Sequence, residues 1–357
     1  MDDGCSLMEV SIDQSQFGNP RGEKSQMPFP LLIPYQTTDL TKGTRLPLGW
    51  AGVRLSELVN KGSDKGPSQL LASENIREEL RVGSRTKVLP VLNGKDDRLA
   101  ALWEMDRSEF YGPAERHSIE AITGPTFSVY SEQEGDRRTP AAMNVIMQKR
   151  HHQVLAEIGA QTTATPIPNL YCRDCRDWKK WAGWLEKNQV EVVYRDFTMT
   201  RQPENYRPEL SGLLEILGRM DRSLHVLVGV GMSKARWTIR RLAEEGHTCS
   251  VVTSDPIHTG VVCGQRMAWE GEEVEEKESD APPSKLGVEN LKVAEAFLES
   301  VASECPPYEG LRTKNRVFPE SGENEGRRTV PTGRELQQPT VDSGHRCLGH
   351  YASKAES

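Results

Sequence analysis

What most constrains this chain is an alternation of strand-type apolar runs with segments of helical period, repeated seven times between Trp50 and Thr253. Parallel strands need a crossover between neighbours, and helices supply it, so a chain written this way is bound for a parallel sheet with helices against it. The first unit is WAGVRLSELV, followed by helical spacing over 69–81 at Leu70, Ile76 and Leu80. The second is KVLPVLN (87–93), stopped by Asn-Gly and followed by a helix capped from Asp96 or Asp97. The third is SIEAIT (118–123), with a long helix opening at Pro140. Four more strands are expected at 163–169, 190–196, 224–230 and 248–253. Among them lie a Trp-rich helix and helices over 208–220 and 235–245, the last stopped by Gly246. A parallel (β/α) barrel-like domain, complete or incomplete, is the leading reading. A doubly wound open parallel sheet is the alternative, because periodicity does not reveal closure.

Composition sets the boundaries around that repeat. Apolar residues make up 36%, with 30 Gly and 22 Pro, which is low for a chain packed throughout. Residues 1–28 are polar and read as a flexible arm, and PFPLLIP is apolar but broken by proline, which suits an extended piece laid on the surface or across one end of the core. The α/β domain is assigned to 29–268. The run EGEEVEEKESD follows, where carboxylate repulsion favours solvation, so 269–283 reads as an acidic linker. Helical period returns in LGVENLKVAEAFLESV, expected as a helix over 284–303 packed on the domain, and 304–357 reads as a disordered tail. No 18-residue apolar run and no signal-peptide pattern occurs, and the seven cysteines are odd in number and scattered. A cytoplasmic, reducing location is therefore expected. The net charge of −7 provides no global attraction to nucleic acid.

The stretch AITGPTFSVYSE, together with VRLSELV, KVLPVLNGKDDRLAALWEMDR, NVIMQKR, PIPNLYCRDCRDWKKWAGWLEKN and HVLVGVG, resembles an uncharacterised domain family of unknown function encoded by bacteria, archaea, phages and plasmids. The resemblance spans roughly residues 45–265 and is carried most sharply by ITGPTFS. It implies an α/β domain and carries over no catalytic residue.

Reactive side chains in parallel barrels gather where strands end, because the loops there converge on one mouth. That rule selects Asn93, Lys95 and Asp96 after the second strand, Thr126 and Ser128 after the third, and Asn169 after the fourth. Arg195 and Asp196 follow the fifth, and Asp255 with His258 the seventh. Asp196 and Asp255 are the acid/base candidates. Lys95, Asp96, Thr126, Ser128, Asn169, Arg195 and His258 are candidate ligand contacts, with Arg195 or Lys95 taking an anion. The plainer reading of each acid or amide is a cap on the next helix. In ITGPTFS, a tight turn at Gly124-Pro125 presents the Thr126 and Ser128 hydroxyls, or else simply buries Phe127.

Other motifs are weaker. Cys172 and Cys175 form a C-x-x-C with no second pair to complete a zinc site, and His151-His152 are adjacent rather than spaced to chelate, so no metal is assigned. Trp178, Trp181 and Leu185 read as the core face of their helix, with an aromatic-basic nucleic-acid surface as the alternative. Gly229 and Gly231 lack the third glycine of a dinucleotide fingerprint, and the cofactor is left unknown. The leading expectation is an enzyme applying acid/base chemistry to a small polar or phosphorylated molecule. The competing one is a non-catalytic nucleic-acid- or protein-binding module of a mobile genetic element.

Overall fold

Strands form at all seven expected places, and an eighth precedes them. The structure is a computed structural model that describes residues 29–38, 45–62, 64–127, 141–171, 175–198, 200 and 203–308. In chain order its strands are β1 (Leu32–Pro34), β2 (Trp50–Arg54), β3 (Val59–Asn60), β4 (Gly66–Pro67), β5 (Lys87–Val91), β6 (Ala121–Thr123), β7 (Thr165–Ile167), β8 (Val192–Asp196), β9 (His225–Gly229), β10 (Thr248–Thr253), β11 (Gln265–Glu270) and β12 (Glu273–Glu278). Helices stand between most of the parallel strands, as the crossovers require.

A four-stranded parallel sheet has the order β1–β10–β9–β8, and β2–β5 and β6–β7 are parallel pairs. Single parallel bridges join Tyr35 to Gly52 and Asn169 to Tyr194, linking the ends of β1 to β2 and of β7 to β8. Between β5 and β6 the amide of Leu92 donates to Thr123 Oγ1 at 2.9 Å. Alternate residues, including Ile33, Leu89, Ala121, Ile167, Leu227 and Val252, form one buried cluster drawn from all eight parallel strands. The opposite faces of the same strands pack against the helices in a second, larger cluster. Each large apolar side chain buried in these layers contributes about 1.5–3 kcal/mol relative to exposure.

β1 overturns the reading of PFPLLIP as a surface piece, since Leu32 and Ile33 are fully buried. The prolines fit for a positional reason. Tyr35 N donates to Thr253 O and Gln36 N to Gly52 O, so odd residues address β10 and even residues address β2. Pro34 therefore lacks a donor on the β2 side, where pairing reduces to one bridge, and leaves the β10 ladder intact. The single helix expected over 69–81 is instead two short ones, Gln69–Ala72 and Ile76–Glu79. Ser68 Oγ accepts from Leu71 N and Asn75 Oδ1 from Arg77 N, local caps that compete with one continuous helix.

Two boundaries also change. The acidic run is no linker: β11 and β12 form an antiparallel hairpin through it. Met267 is buried, Asn290 Oδ1 accepts from its amide at 2.7 Å, and Lys277 pairs with Glu270 across the strands. The remaining carboxylates face solvent, where water screens their repulsion. The helix Pro283–Ser303 packs on the α/β core through Leu291, Leu298 and Val301. Order then continues to Tyr308, so the tail does not begin at 304. Residues 1–28 and 309–357 lie outside the described residues. Among those described, no helix is long and apolar enough to cross a membrane.

Tyr308 is buried, and its hydroxyl accepts from the amide of Cys249 at 2.6 Å. That amide is an odd-numbered β10 donor on the β1 side, just beyond the end of the β1 ladder. Removing the hydroxyl leaves a buried N–H without its acceptor, which costs about 1–3 kcal/mol. Tyr308→Phe is expected to lose that much in urea unfolding, and ending the chain after Glu304 to lose more. Unchanged midpoints in both would refute the anchoring role.

Candidate functional site

Parallel strands all present their carboxyl ends at one edge, and four of the sequence-selected residues meet there. Asn93, just beyond β5, donates from Nδ2 to Asp196 Oδ2 at the end of β8. Asn169, beyond β7, donates from Nδ2 to Asn93 Oδ1, and Thr126 Oγ1, beyond β6, donates to the same oxygen at 3.1 Å. Asp196 Oδ1 accepts from the amide of Thr198 at 2.7 Å. Below this network Tyr194 lies on the same face of β8, and its hydroxyl is 3.0 Å from that of Tyr35. Burial, reinforced by the Asp196 charge, raises both phenols, so they stay protonated hydrogen-bonding groups.

Gly229 makes room for the arrangement. A Cβ there would stand 2.5 Å from Tyr194 Oη and 2.7 Å from Asp196 Oδ1, closer than atoms can pack. Asn169 is completely buried, and among the described residues its Oδ1 has no hydrogen-bond partner. Buried carbonyl oxygens seldom go unpaired.

The remaining selected residues are placed elsewhere. Arg195 alternates with Asp196 and so faces the helices, donating to Leu170 O and to Glu209 at 2.8 Å each. It is not an anion ligand at the strand edge. Asp255 Oδ2 accepts from Met232 N at 2.7 Å, capping the helix Met232–Glu244, whose first residue follows Gly231 and so has no side-chain cap of its own. Asp255 is thus a cap, supplied to the preceding helix rather than to its own. Lys95 and Asp96 are exposed at the start of the helix Asp96–Glu104. His258 is exposed, with Nδ1 3.6 Å from Cys263 Sγ. Ser128 and Cys172 lie outside the described residues, and Cys175 enters as backbone alone. Among the described residues no three His, Cys, Asp or Glu side chains converge as metal ligands.

The turn at Gly124-Pro125 serves packing. His151 Nδ1 bonds the Pro125 carbonyl at 2.6 Å, and a Cβ on Gly124 would lie 2.3 Å from His151 Cε1. Phe127 is buried, as the plainer reading of ITGPTFS expects. Trp181 and Leu185 are core residues, Trp184 joins them, and the Trp178 side chain lies outside what is described. With Trp181 and Trp184 buried against His151 and His152, they form no exposed stacking surface for nucleic acid. Sequence reasoning missed Tyr35, because proline disqualified its strand, and missed Tyr194, although alternation along β8 puts it on the face of Asp196.

No known family model matches the chain, and no curated protein matches it.

Two outcomes follow from this packing. Gly229→Ala should cost about 1–3 kcal/mol in urea unfolding, as overpacking does; a neutral substitution would mean that Tyr194 and Asp196 are not held where described. Burial lowers His151 to about 4 and His152 well below its ordinary value, so the native state holds both neutral while the unfolded chain takes up protons below about pH 6.5. Their contribution is complete above that pH and is lost as pH falls toward 4. Among the described residues neither ring nitrogen of His152 has a partner, so His152→Phe should match or exceed wild-type stability at pH 7 and flatten the decline of Tm between pH 6.5 and 4. An unchanged slope would contradict that account.

Proposed function

We propose that the eight parallel strands close into one (β/α) barrel whose carboxyl-edge mouth binds and chemically transforms a small polar molecule, with Asp196 as the acid/base group. The observation that carries this reading is the contact of Asn93 with Asp196. Three strand spacings separate β5 from β8 through β6 and β7, about 14 Å in a flat sheet, too far for these two side chains to touch. Curling the sheet brings them together over its interior. The Tyr35–Tyr194 contact spans three spacings in the other direction, through β10 and β9, and supports the same curvature. The eight-strand inner cluster is what a filled barrel interior requires.

The chemistry follows from the donor set. Asp196 is half-buried and held by an amide N–H and a backbone N–H, both neutral donors. A carboxylate fixed in this way can take a proton from a bound molecule and return it. Asn93, Asn169 and Thr126 orient the ligand and the carboxylate. A phosphorylated substrate loses the support that Arg195 had provided, since that guanidinium is committed to Glu209.

The test is native mass spectrometry of small molecules retained by the full-length protein, repeated on Asp196→Asn and Asn93→Ala. Retention by the wild type should fall at least about tenfold in both variants, while circular dichroism stays native, since each loses a charge-assisted hydrogen bond. Equal retention by all three proteins would remove the mouth as the binding site.

A further inference from the structure

The network at the strand ends has a fixed polarity that starts at Asp196. An ionised carboxylate accepts hydrogen bonds and donates none, so Asn93 must turn its NH2 toward Asp196 Oδ2. Its Oδ1 is thereby aimed the other way, into Asn169 and Thr126, both of which must donate to it. Asn169 gives Nδ2 to that bond and cannot flip, because a flip would set two carbonyl oxygens against each other at 2.5 Å. Its own Oδ1 is left as a buried acceptor with no donor among the described residues. The end of the relay is thus an orphaned carbonyl oxygen, and its start is a negative charge held by neutral donors.

Resting on the site proposed above, we infer that its ligand presents a donor-only cationic nitrogen group, an ammonium, amidinium or guanidinium, to Asn169 Oδ1 and Asp196. Such a group donates to the orphan oxygen and offsets the carboxylate charge, each of which an anion or a plain acceptor would worsen. The rim cation Arg54 approaches from the Tyr35 side, its guanidinium 4.5 Å above the Tyr35 ring and its charge felt at Tyr35 and Tyr194, and it reaches Ser254 Oγ at 3.4 Å, with no hydrogen bond to Asn169 Oδ1 among the described residues.

Three probes of one shape and different charge decide the matter: benzamidinium, benzamide and benzoate, titrated against the full-length protein by calorimetry and thermal shift at constant ionic strength. Benzamidinium should bind saturably and at least about tenfold more tightly than benzamide, with benzoate not binding. Asp196→Asn should remove most of the preference for the cation. Asn169→Ser should weaken benzamidinium about tenfold. Circular dichroism identifies any variant that fails to fold, and the wild-type ranking stands without the variants. Benzoate or inorganic phosphate binding in a way that depends on Asn93 and Asn169 would overturn the cationic ligand while leaving the site in place. Benzamidinium binding indifferent to substitutions at 93, 169 and 196 would overturn the site as well. No saturable response to benzamidinium overturns the inference.

Discussion

The rest of the structure depends on the parallel pairing of Leu32–Pro34 with Thr248–Thr253, which joins the first strand of the parallel series to the last. These segments lie about two hundred residues apart, so bringing them together carries a loop-closure cost that grows only logarithmically with length. Burial compensates: Leu32 and Ile33 are fully enclosed, on opposite faces of the strand. Through that pairing Tyr35 reaches Tyr194, and the carboxyl ends of the strands that carry Asn93, Asn169 and Asp196 come to share an edge.

Burial keeps several titratable side chains of the interior neutral. Histidines 151 and 152 are held neutral by burial, and Tyr35 and Tyr194 remain phenols. Asp196, half-buried at the end of β8, sets the direction of the hydrogen bonds from Asn93 to Asn169. Arg195, one residue earlier, is on the other face of the strand and satisfies a different layer. The period of two along β8 separates a residue of the strand-end network from one packed toward the helices.

Much of this was legible before any coordinates. The strand-helix alternation located seven strands, and the rule that chemistry collects at strand ends selected Asn93, Thr126, Asn169 and Asp196. It also selected Arg195, Asp255, Lys95, Asp96 and His258, because one sequence cannot say which face a strand-end residue takes or which helix a carboxylate caps. Asp255 shows the difficulty: its partner, Met232 N, is 23 residues away, whereas local reasoning looks for a cap within three. PFPLLIP and the acidic hairpin were misjudged for a shared reason. Proline and repeated glutamate are poor strand formers by propensity, and both are tolerated where the ladder needs no donor or the face meets water.

What the sequence determined by itself was the class of fold, interleaved helices and parallel strands, since hydrophobic periodicity is local and survives in one dimension. What only the tertiary structure decided was the partnership of β1 with β10, the burial of Tyr308 against Cys249, and the convergence of Asn93, Thr126, Asn169 and Asp196. Those depend on hydrogen bonds between residues far apart in sequence, 103 positions for Asn93 and Asp196 and 220 for Pro30 and Ser250, and such pairings leave no periodic trace along the chain.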